Sequence, residues 1–290
     1  MASVPFDQMQ GVIWLNGSLV DWQDANIHIL SHGLHYGGSV FEGERAYGGK
    51  IFKSRQHSER FLKSAEYLDF QIPYTVDELI EAKQLVVDKN GFKNCYVRPV
   101  AWRGSEMMAV AAQMAKIHTA IAVWDWPSMF DINTKMKGIK LDIAEYRRPD
   151  PATAPSHSKA AGLYMICTIS KHKAERKGYA DAMMLDWQGR VAECTGANIF
   201  FTRDGVLHTP IADCFLNGIT RQTVIELANR RGLEVVERRI MPDELASFNE
   251  CFICGTGAEV TPVSEIGPYN FAPGNISRTL IEDYAAEVNA

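Results

Sequence analysis

The sequence lacks three features that assign a chain to a class at once. It has no run of about 18 apolar residues, so no transmembrane helix is expected. Its 30 basic residues stand against 35 acidic ones, a net charge of −5 that argues against nucleic-acid binding. Its first ten residues, MASVPFDQMQ, do not resemble a secretory signal. We therefore expect a cytoplasmic protein.

Nucleotide and disulfide signatures are lacking as well. The glycine-rich stretch at residues 33–43 matches neither the dinucleotide pattern G-x-G-x-x-G nor a P-loop. Six cysteines are spread along the chain without an export signal, and we expect them to be reduced. Cys251 and Cys254 have the spacing of a redox motif, but they lie in the apolar run CFIC, which predicts buried strand cysteines.

A length of 290 residues with 46% hydrophobic residues predicts about two domains and a sizeable core. The turn dipeptides Asn16-Gly17 and Gly48-Gly49 predict two early hairpins. Periodicity and capping signals predict helices over 56–69 and from Thr75 to Gly91, strands at 95–102, 117–124, 139–143, 181–187 and 191–192, a helix over 163–177, a hairpin over 198–209 and a helix over 220–231. The predicted domains are an N-terminal α/β domain at 1–124, a linker at 125–135 and a C-terminal α/β domain at 136–290.

Two clusters of polar residues have simple structural interpretations. His28, His32 and His35 have helical offsets that could gather a metal, but the neighbouring glycines argue against a helix and no partnering glutamate follows, so no metal is expected. Glu42 and Glu44 alternate with glycine and are interpreted as hairpin residues rather than a glycosidase pair.

The strand CYVRPVAW places a phenol and a guanidinium on one side. Tyr96 and Arg98 are two residues apart, so together they could bind a carboxylate, or they could form a surface cross-strand pair. Pro99 predicts that this strand lies at a sheet edge or contains a bulge.

Lys159 lies in SHSKAAG, within a long segment rich in proline. A lysine flanked by small residues could be buried with a lowered pKa, as covalent chemistry with a carbonyl requires, or it could be a solvated loop residue. Asn217 to Thr220 opens a helix whose free N–H groups could bind a phosphate, although ordinary capping explains the same residues. Gly255-Thr256-Gly257 could supply further donors or simply turn the chain.

These segments recur together in one known family. The matching motifs are HGLHYGGSVFEG (32–43), His57 with Arg60, YVRP (96–99), SKAAGLY (158–164), AECTGANIF (192–200), LNGITR (216–221) and GTGAEVTPV (255–263). In order and spacing the chain resembles the branched-chain amino acid aminotransferases, which are pyridoxal-phosphate enzymes of fold type IV.

The resemblance implies an α+β fold with two α/β domains of the D-amino acid aminotransferase-like type and an active site at their interface. It implies pyridoxal 5'-phosphate as cofactor and no metal. It also implies reversible, ping-pong transfer of the amino group of L-leucine, L-isoleucine or L-valine to 2-oxoglutarate, which gives L-glutamate, in a homodimer or higher homo-oligomer.

The resemblance also assigns residue roles. Lys159 would bind the cofactor covalently and carry the transferred proton, Glu193 would accept the pyridine N–H, and Tyr164 would bind the phenolic oxygen. The phosphate would be held by Arg60, Ile219, Thr220 and Thr256, and Gly196, Asn198, Leu216 and Gly218 complete the predicted cofactor site. The substrate residues would be Tyr96, Arg98, Thr256 and Gly257 for the carboxylate, and Tyr36, Phe41 and Met129 for the side chain.

Four positions depart from the family pattern. Met129 replaces a frequent tyrosine, Met107 and Met108 replace glycines, and Gly257 replaces alanine. Because methionine adapts to varied apolar surfaces, we expect an altered pocket that extends the range toward methionine or aromatic donors. The linker that contains Met129 would act as a lid.

Several alternatives stay open on the sequence. D-amino acid transaminases, (R)-amine transaminases and aminodeoxychorismate lyase share the fold, although Arg98 in YVRP favours the branched-chain group. A non-catalytic carrier of pyridoxal phosphate would not need Tyr96 or Arg98. A metal-dependent hydrolase built on the three histidines would contain a bound metal.

Overall fold

The computed structural model describes residues 4–126 and 132–290, which contain two sheets and helices packed on them. The chain divides into two compact units. The first consists of the described residues of Met1–Pro127 together with Ser158–Gly162, and the second of the described residues of Ser128–His157 and Leu163–Ala290.

The first unit is built on a seven-stranded sheet. Its strands are β1 (Val12–Leu15), β2 (Ser18–Asp21), β3 (Ser39–Phe41), β4 (Glu44–Tyr47), β5 (Lys50–Ile51), β6 (Cys95–Arg103) and β7 (Ile117–Asp125), and its helices are α1 (His32–Tyr36), α2 (Ser54–Tyr67) and α3 (Val76–Asn90). The strand order is β2-β1-β7-β6-β4-β5, and β3 also pairs with β6. All of these pairs are antiparallel.

The core of the first unit lies beneath α2 and α3. Val86 and Val87 of α3 pack with Val97, Ile121 and Val123, which alternate along β6 and β7. Helix α3 starts at the predicted capping box, in which Thr75 and Glu78 bond reciprocally, and it ends at a left-handed Gly91.

Strand β6 is central and its pairing register is regular at Pro99, so the prediction of an edge strand or a bulge is wrong. It pairs with β7 on one side and with β3 and β4 on the other. The carbonyl of Pro99 accepts from the N–H of Glu42, in the gap between β3 and β4. In an antiparallel sheet the nitrogen and the carbonyl of one residue face the same neighbouring strand, so the nitrogen of Pro99 also faces the gap between β3 and β4. The gap therefore accommodates a proline, which has no N–H to donate.

The second unit is built on a nine-stranded sheet of order β10-β9-β8-β15-β14-β11-β12-β13, with β16 paired to β15. Its strands are β8 (Ile139–Ile143), β9 (Asp181–Leu185), β10 (Val191–Cys194), β11 (Asn198–Arg203), β12 (Val206–Pro210), β13 (Val235–Arg238), β14 (Glu250–Gly255), β15 (Glu259–Ile266) and β16 (Tyr269–Asn270), and its helices are α4 (Ile132–Lys135), α5 (Met165–Arg176), α6 (Ile219–Arg230) and α7 (Asn275–Val288). Its core is rich in apolar strand residues such as Leu141, Ile199, Phe201 and Val263.

The predicted α+β class is confirmed, and so are both early hairpins and the strand at 139–143. Two details differ. Ser158–Gly162 groups with the first unit, although the predicted boundaries put it in a domain at 136–290. The glycines near His32 do not prevent a helix, because Gly37 ends α1 in the left-handed conformation. The predicted linker at 125–135 lies partly outside the described residues.

The six cysteines are free thiols and all are buried. Burial raises the pKa of Cys95 and of Cys167 to about 11, which makes these thiols unreactive. Within residues 4–126 and 132–290, no helix has the length and apolar character to cross a membrane.

Candidate active site

The backbone of Lys159 is hydrogen-bonded to residues of α2 and β3 within the first unit. Its N–H donates to the hydroxyl of Ser64 at 3.0 Å, and its carbonyl accepts from the N–H of Phe41 at 3.2 Å. The hydroxyl of Ser158 donates to the carbonyl of Ser64 at 2.8 Å. The long segment that precedes α5 therefore holds its lysine in one place.

The amine of Lys159 lies in a partly buried, cationic environment. Its Nζ is 5.0 Å from the centre of the Phe41 ring. Burial lowers the pKa of Lys159, the charge of Arg60 lowers it further, and the carboxylate of Glu42 acts in the opposite direction. The structure thus favours a partly buried lysine over a solvated loop residue, and the lowered pKa leaves more of the amine uncharged, the form that can attack a carbonyl or accept a proton.

Arg60 projects from α2 and is held by a buried carboxylate. Its Nε and Nη2 donate to the two oxygens of Glu42, at 2.7 and 2.8 Å. The Nδ1 of His57 lies 2.7 Å from Oε2 of the same carboxylate. Arg60 and His57 hold the pKa of Glu42 well below its usual value, although burial alone would raise it.

Glu42 and Glu44, interpreted as hairpin residues, both have fully buried side chains, and Glu44 lies on β4 of the β4–β5 hairpin. Glu44 accepts two hydrogen bonds from the Nζ of Lys83, at 2.9 and 2.7 Å. Lys83 also donates to the hydroxyl of Ser58 at 2.9 Å. A buried charge requires such partners, so each glutamate has its own cation.

Tyr96 and Arg98 lie on one side of β6, as predicted. The Nη2 of Arg98 is 3.4 Å from the hydroxyl of Tyr96, and its Cζ is 4.7 Å from the centre of the Phe41 ring. The Tyr96 ring stacks on Trp124 at 4.9 Å. A Cβ at Gly43 would lie 2.0 Å from the Tyr96 hydroxyl, so a larger residue there would displace the Tyr96 side chain. The two polar groups could bind one carboxylate.

The other predicted pocket residues lie on exposed or partly buried segments. Tyr36 is 49% exposed and stacks on the ring of His32. Met107 is partly buried and Met108 is exposed, and both lie between β6 and β7. Met129 lies outside the described residues. The roles of these side chains in substrate binding stay predictions.

In the second unit, Glu193 on β10 lies beside a buried arginine. The Nε of Arg148 is 3.3 Å from its carboxylate, and the side chains are 4% and 13% exposed. Nη1 of Arg148 also donates to the sulfur of Cys167 at 3.5 Å. Tyr164 is close enough to Arg148 to raise the pKa of the guanidinium together with Glu193. Arg148 thus places a cation beside the carboxylate that is the predicted acceptor of a ring N–H.

Asn198 on β11 links Glu193 to the start of α6. Its amide nitrogen lies 3.3 Å from Oε2 of Glu193 and 3.1 Å from the carbonyl of Leu216. A Cβ at Gly218 would lie 2.2 Å from its amide oxygen, so any larger residue there would displace Asn198 or the loop. Gly196 lies exposed in the turn between β10 and β11.

The predicted phosphate donors lie at the ends of secondary-structure elements. Ile219 and Thr220 form the buried first turn of α6, whose N-cap is Gly218. Arg221 fixes the preceding loop by donating to the side chain of Asn217 at 2.8 Å. Thr256 and Gly257 form the turn that joins β14 to β15. Helix starts and turns of this kind present unpaired N–H groups that suit anions.

Two residues with evident roles in these groups escaped the sequence interpretation. Glu42 belongs to the recognised motif VFEG, but its burial depends on contacts with α2, 15 and 18 residues further along the chain. Arg148 lies in the long irregular segment, where the arginine pair followed by Pro149 was the available signal. Within the described ranges, no group of three His, Cys, Asp or Glu residues could hold a metal.

The chain is similar to known proteins in sequence and in fold. The family pattern "Amino-transferase class IV" matches residues 39–266. The chain is 44% identical to the "Probable branched-chain-amino-acid aminotransferase" of Rickettsia conorii, over 98% of each chain. It is 42% identical to the "Branched-chain-amino-acid aminotransferase" of Pseudomonas aeruginosa, over 88% of this chain and 85% of that one.

Among solved structures, the T.th. branched-chain amino acid aminotransferase with pyridoxamine 5'-phosphate is similar. The TM-score is 0.94 with 37% identity, and the match covers 97% of this chain and 95% of that one. The resemblance seen in the motifs is thus supported by nearly full-length similarity in sequence and in fold. The chain belongs to the class IV aminotransferase family and, within it, to the branched-chain-amino-acid aminotransferases.

Proposed function

We propose that this enzyme transfers the amino group of L-leucine, L-isoleucine or L-valine reversibly to 2-oxoglutarate, giving L-glutamate, with pyridoxal 5'-phosphate as cofactor. The observation that carries the proposal is the Lys159 amine, which is partly buried, has a lowered pKa and lies near Arg60 and the Tyr96–Arg98 pair. The relatives named above support the choice of substrate and cofactor.

The residues present fit pyridoxal phosphate. Arg60 is 19% exposed, so its guanidinium can reach an anion while Glu42 holds it. The first turn of α6 and the Thr256 turn offer N–H and hydroxyl donors to a phosphate. Glu193 offers a carboxylate to a protonated pyridine nitrogen, and Tyr164 a hydroxyl to the ring oxygen. When bound, the cofactor supplies the aldehyde that takes up the amino group and the ring that absorbs the electrons released at the substrate Cα.

The residues of the chain would then have separate roles in binding the cofactor and in transferring the proton. Lys159 Nζ binds the cofactor covalently and, once released, moves the proton to and from the substrate Cα, since its lowered pKa favours the uncharged amine. Glu193 keeps the pyridine nitrogen protonated. Arg60, Ile219, Thr220 and Thr256 hold the phosphate. Reuse of one amine for binding and for proton transfer is consistent with a ping-pong sequence of half-reactions.

Substrate recognition would rest on a carboxylate site beside an apolar one. Tyr96, Arg98 and the Thr256-Gly257 turn bind carboxylates, and Phe41 contacts the aliphatic side chain together with Tyr36 and Met129. Glutamate carries a second carboxylate, so the polar edge near Arg98 serves two anions. A pocket of this kind discriminates among apolar side chains by only about 10- to 200-fold per methylene.

We also propose that the enzyme works in the cytoplasm as a homodimer or higher homo-oligomer. Six buried free thiols suit a reducing compartment. The side chains of Ile29 and Leu34 in the first unit are 72% and 58% exposed, which suits a surface covered by another subunit.

The visible absorption spectrum tests the proposal. We expect a band from the bound cofactor that L-leucine bleaches and 2-oxoglutarate restores, and that Lys159→Ala lacks. D-alanine in a parallel cuvette is the control. Bleaching by D-alanine alone would replace the proposal with a D-amino acid transaminase, and a band that no amine changes would indicate a carrier of the cofactor.

A further inference from the structure

Glu42 is the centre of a buried network beneath Lys159. Its side chain has no exposed surface, and its carboxylate accepts from Nε and Nη2 of Arg60 at 2.7 and 2.8 Å. The Nδ1 of His57 approaches Oε2 at 2.7 Å, and the N–H of Gly43 donates to the same oxygen at 3.3 Å. Four donors thus converge on one carboxylate that the proposed catalytic and binding roles do not use.

The geometry of the Glu42–Arg60 pair restricts the guanidinium. A free arginine side chain samples many rotamers, whereas two parallel hydrogen bonds to one carboxylate define both the position and the plane of the group. Glu42 is itself fixed by His57 and by the backbone of Gly43. Arg60 is therefore oriented before any ligand binds, and an oriented group loses less conformational entropy on binding.

The charges around Lys159 point to the same role. Arg60 and Arg98 both interact unfavourably with a protonated Lys159, and Glu42 is the carboxylate that opposes them. Without Glu42, two guanidinium groups and an amine would share a partly buried region. Mutual repulsion would then drive the mobile Arg60 side chain away from Lys159.

The neighbouring pair provides an internal comparison. Glu44 is two residues further along the chain and is equally buried, but it binds Lys83, at 2.7 Å, and not Arg60. Both carboxylates are fully buried beside a cation, but Lys83 is 1% exposed and Arg60 is 19% exposed, so Arg60 is the cation that can reach a ligand. Only the loss of Glu42 should affect the binding of a phosphate.

We propose that Glu42 is a positioning residue, which orients the Arg60 guanidinium for the phosphate of the cofactor. This inference rests on the proposed function, in which Arg60 binds that phosphate. Glu42 touches neither substrate nor cofactor in this proposal and acts through Arg60 alone.

The test compares two ligands that differ only in the phosphate. Apoprotein is titrated with pyridoxal 5'-phosphate and with pyridoxal, and covalent binding to Lys159 is followed by visible absorption. For Glu42→Gln we expect about tenfold weaker binding of pyridoxal phosphate, the loss of one oriented charge-assisted contact, and a change below about twofold for pyridoxal. The matched control Glu44→Gln should change the two affinities by the same factor.

A double-mutant cycle shows whether Glu42 acts through Arg60. In an Arg60→Ala background, Glu42→Gln should alter the affinity for pyridoxal phosphate by less than about twofold, because the group it orients is gone. An equal loss in both backgrounds, or an equal loss for pyridoxal and pyridoxal phosphate, would overturn the inference.

Folding and the proposed function are controlled separately. Circular dichroism and thermal unfolding report whether each variant folds. If Glu42→Gln does not fold, the comparison is repeated with Glu42→Asp, which keeps the charge but is too short for both hydrogen bonds. It should also lose affinity for pyridoxal phosphate selectively. Wild-type apoprotein that binds neither ligand at Lys159 would overturn the proposed function, whereas normal wild-type binding with an unaffected Glu42→Gln overturns this inference alone.

Discussion

Asn198 places its side-chain amide nitrogen 3.3 Å from the carboxylate of Glu193, and the same nitrogen donates to the carbonyl of Leu216 at 3.1 Å. A single buried side chain thus joins the predicted partner of the pyridine nitrogen to the predicted phosphate loop. Gly218 packs against the same side chain, because a Cβ added there would lie 2.2 Å from the amide oxygen of Asn198.

Gly218→Ala should therefore weaken cofactor binding. The added Cβ would lie 2.2 Å from Oδ1 of Asn198, so either the loop or the Asn198 amide must move, and a shift of either disturbs the contacts to Leu216 and Glu193. Overpacking of this kind costs about 1 to 3 kcal/mol, and we expect the dissociation constant of pyridoxal phosphate to rise by about tenfold or more. Equilibrium titration of the apoprotein measures it.

The matched control is the same substitution in an Asn198→Ala background. With the amide removed, Gly218→Ala should cost much less than it does in the wild type. Equal costs in the two backgrounds would show that Asn198 does not set the position of the loop.

Gly43→Ala should impair substrate binding and leave the cofactor in place. Its Cβ would lie 2.0 Å from the hydroxyl of Tyr96 and would displace it from the carboxylate site. We expect KM for L-leucine and 2-oxoglutarate to rise about tenfold, as for a lost hydrogen bond to a charged group. Steady-state kinetics measure KM, and cofactor titration should change by less than about twofold. Tyr96→Phe should raise KM similarly, and an unchanged KM in both variants would remove Tyr96 from the substrate site.

His57 should make the stability of the protein depend on pH. Burial lowers its pKa from 6.5 to about 4, with Arg60 and Lys83 adding to the effect and Glu42 opposing it. In the unfolded chain His57 takes up its proton as the pH falls below 6.5, whereas in the native state it does so only near pH 4. The stability that neutral His57 contributes above pH 6.5 is therefore lost as the pH falls toward 4. The difference corresponds to about 3 kcal/mol.

His57→Asn should remove this loss of stability toward pH 4, because asparagine keeps a donor for Glu42 and does not titrate. Burial raises the pKa of Glu44 to about 7, so Glu44 contributes a slope of opposite sign in both proteins. Urea unfolding at a series of pH values between 4 and 7 measures the slope. His172, which is exposed on α5, is the control position, and His172→Asn should retain the wild-type slope. A wild-type slope in His57→Asn would contradict the assignment.

Arg148→Met should destabilise the second unit. It removes the cation beside Glu193, whose side chain is 13% exposed, and leaves a poorly solvated carboxylate. Removal of one member of a buried ion pair costs about 3 to 5 kcal/mol. Urea unfolding of the apoprotein measures the loss, and the double variant with Glu193→Gln should recover much of it. If the double variant loses as much unfolding free energy as the two single variants lose together, the two residues are not coupled.

Local signals predicted much of the fold. Asn16-Gly17 and Gly48-Gly49 form tight hairpins because the residues adopt positive φ values, and the Thr75–Glu78 capping box starts α3. Strand β8 has the predicted bounds Ile139–Ile143. Each of these depends on neighbours within a few residues, and this is why the sequence alone is informative there.

The features that escaped prediction depend on distant contacts. Lys159 joins the first unit through Ser64, 95 residues earlier in the chain. Glu193 meets Arg148 across a turn-rich segment, a helix and a strand, and no local pattern indicates that pairing. For the candidate site, the sequence identified the chemical groups, and tertiary packing decided which of them meet.

Transfer of isotopic nitrogen tests the proposed aminotransferase activity most directly. Purified enzyme with pyridoxal phosphate is incubated with ¹⁵N-labelled L-leucine and 2-oxoglutarate, and the products are analysed by mass spectrometry. We expect ¹⁵N-labelled L-glutamate and an equal amount of the keto acid of leucine, and neither product with Lys159→Ala. Unlabelled glutamate only, or no glutamate from an enzyme that holds its cofactor, would contradict the proposal.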